Sequence, residues 1–130
     1  MTLRVAAAVV VDEGRLLLVS KSAAPRVFYL PGGKPDDGET ATDCIRRELL
    51  EELGTEPTSL EFLETVHSTA ALEQVPMAMD VFLATLDGAP APAAEIASLA
   101  WYVDGTPFAG ELAPAIVGGV LPTLRRRSLL

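Results

Sequence analysis

The 130-residue chain has one cysteine, Cys44, and one histidine, His67. A single cysteine excludes an intramolecular disulfide, and the two residues together cannot build a thiolate or imidazole metal cage. This usage fits a reducing, cytoplasmic home and leaves oxygen as the donor for any bound metal. Basic residues are also scarce: ten Lys and Arg stand against 18 Asp and Glu, for a formal net charge of −8. That balance disfavours a nucleic-acid polymer as the main partner, because Lys and Arg dominate phosphate binding along a polymer. A small phosphate ligand reached through a divalent cation is still compatible with it. No apolar run approaches the ~20 residues of a membrane-spanning helix, so a soluble protein with no membrane partner is expected. The opening MTLRVAAAVVVDEG has a short apolar run that stops at Asp12 and Glu13, and reads as a buried first strand instead of a signal peptide.

An apolar content of 49% places the chain in the globular range, and its length suits one compact domain over residues 1–130. No repeat or long linker interrupts it; GAPAPAAE at 88–95 reads as a surface loop between strands. Residues 3–11 read as a strand, Glu13-Gly14 as a turn and 15–21 as the hairpin partner. A short strand is expected at 27–30, and others at 59–67, 77–86 and 98–103. Thr40 with Asp43 resembles a capping box and Gly54 is a stop signal, which together predict a helix over 41–53. A second helix is expected within 109–127, weakened or kinked by Gly118, Gly119 and Pro122. The pattern as a whole predicts an α/β fold, a mixed sheet with helices on both faces.

The stretch GGKPDDGETATDCIRRELLEELG, residues 32–54, carries the chemistry. Advancing ~100° per residue from Ala41 puts Ile45 at about 40°, Leu49 at about 80° and Leu53 at about 120°, an apolar stripe that should face the sheet. Glu48 falls near 340° and Glu52 near 20°, bracketing Ala41 on the border of that stripe, with Glu51 beside them near 280°. Two carboxylates at i, i+4 repel, and partial burial makes their ionisation more costly. On the wheel Arg46 lies far from the pair and Arg47 reaches only its edge. A hard divalent cation, Mg²⁺ or Mn²⁺, resolves the conflict, since it prefers carboxylate and carbonyl oxygens and bridges to phosphates. Gly32-Gly33 permits a close backbone approach that could aim a carbonyl or amide at the site, and Lys34 is a candidate phosphate contact.

Gly33, Glu39, Arg47-Glu48-Leu49, Glu51-Glu52 and Gly54 stand at the spacings of the Nudix box, GX5EX7REUXEEXGU, where U is a bulky aliphatic residue. The chain therefore resembles the Nudix hydrolase family, of the small MutT-like kind. The one departure is Thr55 at the final aliphatic position. The resemblance implies an α/β/α sandwich with a central mixed β-sheet, in which the box forms a loop-helix-loop. It also implies Mg²⁺- or Mn²⁺-dependent pyrophosphohydrolase activity on a phosphoanhydride bond of a small nucleoside-diphosphate-linked substrate. By position, Glu48 and Glu52 would be the main metal ligands, Glu51 an additional or water-mediated one, and the Gly32 or Gly33 carbonyl a further one. Arg47 and Glu39 would orient the helix and loop. For the general base the candidates are Glu48 or Glu52, then Glu95; Glu73 is weaker.

Arg26, Phe28 and Tyr29, just before the glycines, are candidate substrate contacts, one aromatic stacking on a base while its neighbour enters the core. Met77, Met79, Val81 and Leu83 form one face of a strand, read as core with a possible share in the pocket wall. His67 reads as a surface residue, Trp101 as a core anchor and Cys44 as a small filler. The positions where some subfamilies carry a marker proline or tyrosine hold Ala70 and Ala71; the short chain and the missing proline rank (d)NTPs slightly ahead of nucleotide sugars and ADP-ribose. A non-catalytic nucleotide-binding regulatory module is the alternative of another class. A monomer or homodimer is expected.

Overall fold

A computed structural model describes residues 1–130. Its strands divide between two sheets. The first has the order β5 (Gly32–Gly33), β1 (Leu3–Val9), β7 (Pro76–Leu86), β6 (Pro57–Thr69). It is mixed: β1 and β7 run parallel, whereas β1–β5 and β6–β7 are antiparallel. The second contains β2 (Val11–Asp12), β3 (Arg15–Lys21), β4 (Ala24–Tyr29) and β9 (Glu111–Leu112), with β8 (Ile96–Val103) on the other side of β3.

Side-chain alternation along β1 separates two cores. Ala6, Ala8 and Val10 face α1 (Ala41–Leu53) and pack with its Cys44, Ile45, Leu49 and Leu53. Ala7 and Val9, with Met79 and Val81 of β7, face the C-terminal helical segment through Ile116, Val120, Leu121 and Leu124. The mixed sheet thus lies between helices, the α/β/α layering, and the second sheet closes both cores with Leu16 and Leu18 on one side and Leu17 and Val19 on the other. The three apolar stripe residues Ile45, Leu49 and Leu53 are at most 1% exposed; burying each contributes about 1.5–3 kcal/mol.

Helix α1 begins and ends where its sequence signals stand. The Thr40 hydroxyl accepts from the Asp43 amide at 3.1 Å, a cap worth about 1 kcal/mol. Gly54 closes the helix in the left-handed region at φ 70°, its amide donating to the Leu50 carbonyl.

Elsewhere the structure corrects the expectations. The opening strand is not the hairpin partner of β3; it belongs to the other sheet, and only Val11 and Asp12 pair with β3, across a two-residue turn with Glu13 at φ 52° and Gly14 at φ 72°. Positive φ at both central residues is the turn geometry that matches strand twist. The C-terminal element is shorter than 109–127: Glu111–Leu112 pairs with β4 as β9, Ile116–Val120 is a π-helical turn, and α2 spans Leu121–Arg126. Gly119 lets this turn lie close to β6, since a Cβ there would stand 2.5 Å from Val66 Cγ1. No helix is long and apolar enough to cross a membrane.

Candidate active site

Helix α1 delivers Glu52 into the protein, 1% exposed, and Glu48 to its edge, with the side chain 13% exposed. One Glu52 oxygen, Oε1, accepts from the Gly32 amide at 3.0 Å. The other, Oε2, is buried with no partner in the chain. Burial pushes the Glu52 carboxyl up to about 8, opposed by the Gly32 hydrogen bond and reinforced by Glu48. Glu48 is also raised by burial, against the pull of Arg47. Arg47 on Glu48 and Lys21 on Glu52 offset this burial only in part, so the pair remains short of positive charge.

The glycines are fitted to these carboxylates. A Cβ on Gly33 would stand 2.5 Å from Glu48 Oε1, so the carboxylate occupies the space that any other residue would fill. Gly32 lies at φ 150°, and a Cβ there would meet the Ala6 carbonyl oxygen at 2.2 Å; only glycine lets β5 lie this close to β1.

Arg47 ties loop and helix together. Its guanidinium donates to both oxygens of Glu39 at 2.9 Å, to Glu48 Oε1 at 2.9 Å and to the Lys34 carbonyl at 3.2 Å. Glu39 in turn accepts from the Asp36 amide, and the Arg47 contact holds its carboxyl down at about 2. The helical wheel undervalued this arginine: a long side chain swings along the helix surface, so Arg47 grips Glu48 directly, whereas Arg46 points away to the Pro57 carbonyl.

Glu95 reaches the site because its loop is moored to the end of α1. The Ala91 and Ala93 amides donate to the Leu53 and Glu52 carbonyls, which a helix terminus otherwise leaves unpaired. Thr55, the one residue that departs from the box, is buried and accepts from the Gly88 amide at 3.0 Å. Its hydroxyl adds a mooring that an aliphatic side chain could not supply. The Glu95 carbonyl then accepts from the Ser22 amide at 2.8 Å.

Glu48, Glu95 and the two glycines open onto a cavity of about 360 Å³, whereas the fully buried Glu52 is not part of its lining; the volume is within the range of small-molecule sites. Its polar lining comes from Gly32, Gly33, Lys34, Arg47, Glu48, Glu95 and Lys21. Its apolar lining comes from Leu3, Val5, Met77, Met79, Leu72 and Ile116. Met77 and Met79 are therefore cavity wall, while Val81, two residues on, is core.

Not every expected residue arrives there. Arg26 is exposed on β4 and does not line the cavity. Phe28 is core, edge-to-face with Phe108 at 5.1 Å. Its neighbour Tyr29 takes the cavity side, as strand alternation requires. Glu51 is 53% exposed and pairs with Arg47 at 3.6 Å, outside the cavity lining. Glu73, the weak candidate base, reaches the wall and pairs with Lys34 at 3.8 Å. Trp101 is only half-buried, under the Arg15 guanidinium at 5.0 Å. Lys21 was missed; it carries no carboxylate within salt-bridge distance, and its ammonium lies 5.5 Å from the Tyr29 ring centroid. The available sequence signal was a charged residue ending a strand whose preceding five residues are apolar or small.

The donor set is suited to a hard cation. No three acidic, histidine or cysteine side chains converge as a complete cage; an ion that keeps several waters needs only one or two carboxylates from the protein. The free Glu52 Oε2, the Glu48 carboxylate and the Gly32-Gly33 backbone could hold it.

A loop-helix-loop bearing Glu39, Arg47, Glu48, Glu51 and Glu52 on a mixed sheet defines the class: the chain belongs to the Nudix family, whose domain model, NUDIX domain, matches residues 1–103. Among individual relatives, the 8-oxo-dGTP diphosphatase of Proteus vulgaris is 35% identical over 68 residues, covering 49% of this chain and 61% of that protein. The match thus spans less than two thirds of the relative. The crystal structure of a MutT NUDIX hydrolase from Burkholderia pseudomallei superposes with a TM-score of 0.77 at 27% identity, over 96% of this chain and 97% of that one. The solution structure of the E. coli ORF135 protein gives 0.75 at 25% identity, over 98% and 94%.

Proposed function

We infer that the protein is a Mg²⁺- or Mn²⁺-dependent pyrophosphohydrolase that cleaves a phosphoanhydride bond of a small nucleotide, a (d)NTP in the first instance. The observation that carries this reading is Glu52 Oε2: a carboxylate oxygen buried without a partner, beside Glu48 and under the Gly32-Gly33 backbone. An orphaned buried acceptor is costly, and a cation removes that cost. The Proteus vulgaris relative, named for a nucleoside triphosphate, supports the substrate class.

Glu48 and Glu52 would hold the cation, with the Gly32 or Gly33 carbonyl contributing and Glu51 acting through water from the solvent side. When bound, the ion neutralises charge on the phosphate oxygens and makes the attacking water more acidic. The chain does the rest. Arg47 fixes the Glu48 carboxylate, and Glu39 fixes Arg47. Lys21 and Lys34, both in the cavity lining, meet the phosphates. Glu95, on the moored loop, takes the water proton as the new P–O bond forms and the bridging P–O bond breaks. The apolar lining receives the remainder of the nucleotide.

The test is a panel of dNTPs, NTPs, 8-oxo-dGTP and nucleotide sugars assayed for orthophosphate and pyrophosphate with Mg²⁺, with Mn²⁺ and with chelator. Chelator-sensitive release that Glu48→Gln lowers at least 100-fold is expected. Release that persists in chelator, or is unchanged in the variant, contradicts the reading.

A further inference from the structure

Tyr29 stands where the two cores meet, packed against both, and its ring forms part of the cavity wall. Its hydroxyl oxygen is buried, and no group of the chain accepts its proton. Buried hydroxyls are rarely left so, and each exception calls for an explanation. Three features indicate what the hydroxyl faces. Lys21 covers the ring from one side at 5.5 Å, so the phenol is presented beside a cation with no carboxylate partner. The buried Glu52 and Glu73, which pairs with Lys34 on the cavity wall at 3.8 Å, both bear on the hydroxyl. Burial, with those two negative charges, raises the phenol above its ordinary value, so the oxygen stays protonated and acts as a donor.

We propose that the Tyr29 hydroxyl is a substrate hydrogen-bond donor that engages an oxygen at the link between the phosphates and the sugar. This rests on the nucleotide reading above and deepens it: the residue acts through its hydroxyl, not through stacking of its ring. The acceptor is an α-phosphate oxygen or a sugar hydroxyl, the two kinds of oxygen that lie between the phosphate chain and the base of a nucleotide. A nucleotide that fills the cavity satisfies the orphan; the free protein does not. Tyr29→Phe deletes the donor, keeps the ring under Lys21, and relieves the free protein of an unpaired buried hydroxyl.

The variant should therefore separate binding from stability. Relative to wild type, kcat/KM for a dNTP falls about five- to tenfold, carried mostly by KM, the size of one buried neutral hydrogen bond. The Tm of the ligand-free protein holds or rises, whereas a hydroxyl with a structural role would lower it. A 2′,3′-dideoxy-NTP identifies the acceptor: if the Tyr29→Phe penalty disappears with that analogue the partner is the sugar hydroxyl, and if it persists the partner is the α-phosphate; either result supports the proposal. A Tyr29→Phe protein with unchanged KM, or with lowered Tm and a matching loss on every substrate, overturns it. Binding of dNMPs without metal, by calorimetry, keeps the two readings apart. A five- to tenfold weaker Kd in the variant without turnover in wild type would retain Tyr29 and sink the hydrolase reading. Metal-dependent turnover with identical dNMP binding would do the reverse, and no dNMP binding to wild type sinks the Tyr29 proposal outright.

Discussion

Metal-free protein should lose stability as pH rises from 5 to 8, and the loss should trace to Glu52. Its carboxyl, ordinarily near 4.5, is pushed up to about 8 by burial. Within that interval the folded state holds a proton that the unfolded chain has released, so unfolding gains from rising pH and stability falls. At 1.36 kcal/mol per pH unit the 3.5-unit interval gives a ceiling of roughly 5 kcal/mol; relaxation and water penetration should leave about half. For a chain of this length about 2–3 kcal/mol corresponds to roughly 10 °C in Tm. The pH window is well chosen. Glu39 and Asp104, both held at about 2 by arginines, act below pH 4.5 with the opposite sign, and Cys44, pushed up to about 12, acts above pH 9. Glu48 adds a smaller slope of the same sign as Glu52. The assay is thermal denaturation in chelator at half-unit pH steps, on wild type and Glu52→Gln. The variant keeps the side-chain shape and an acceptor for Gly32 but cannot ionise, so its Tm should change less than a third as much. Mg²⁺ at about ten times its Kd should return about 1.4 kcal/mol at pH 8 and almost nothing at pH 5.5, where a proton competes for the same oxygen. A flat wild-type profile from pH 5 to 8, or equal slopes in both proteins, would show that Glu52 does not carry the pH dependence.

Other expectations follow from the same geometry. Gly33→Ala displaces only the end of the Glu48 side chain, so it should cut turnover at least 100-fold while Tm moves by no more than a few degrees; Gly32→Ala collides with backbone and should lower Tm by 10 °C or leave the protein insoluble. Arg47→Lys removes the fork onto Glu39 and should lower kcat about 10- to 100-fold in a steady-state assay, with a stability cost of about 1–2 kcal/mol in urea melts. Thr55→Val deletes the hydroxyl that accepts from Gly88; it should cost about 1 kcal/mol and loosen the loop that carries Glu95, visible as faster amide exchange over residues 88–95.

Helix α1 was legible to its last residue because independent signals agreed: the Thr40 cap, the stripe through Leu53 and the stop at Gly54. The misplaced Glu48 and Glu52 were visible on the same wheel, since burial of a helix face follows its periodicity. The reach of Arg47 was not, because a wheel projects Cβ directions and not the path of a long side chain. Strands β5 and β9 have two residues each and exist only through their partners in β1 and β4. No local pattern can announce them. The same holds for the cavity, which Lys21, Tyr29, Met77, Glu95 and Ile116 reach from separate segments of the chain. The π-helical turn falls where Gly118 and Gly119 had already weakened the helical pattern, although its close approach to Val66 of β6 is a tertiary contact that no local pattern shows.

The central claim, that Glu48 and Glu52 form a platform for a divalent cation, is tested most directly by titrating Mn²⁺ at pH 8 and following its free electron-paramagnetic signal. Wild type should show saturable loss of that signal, and each of Glu48→Gln and Glu52→Gln should bind at least tenfold more weakly with the fold intact. Equal Mn²⁺ affinity in wild type and both variants, or no binding to wild type with a nucleotide present, would contradict it.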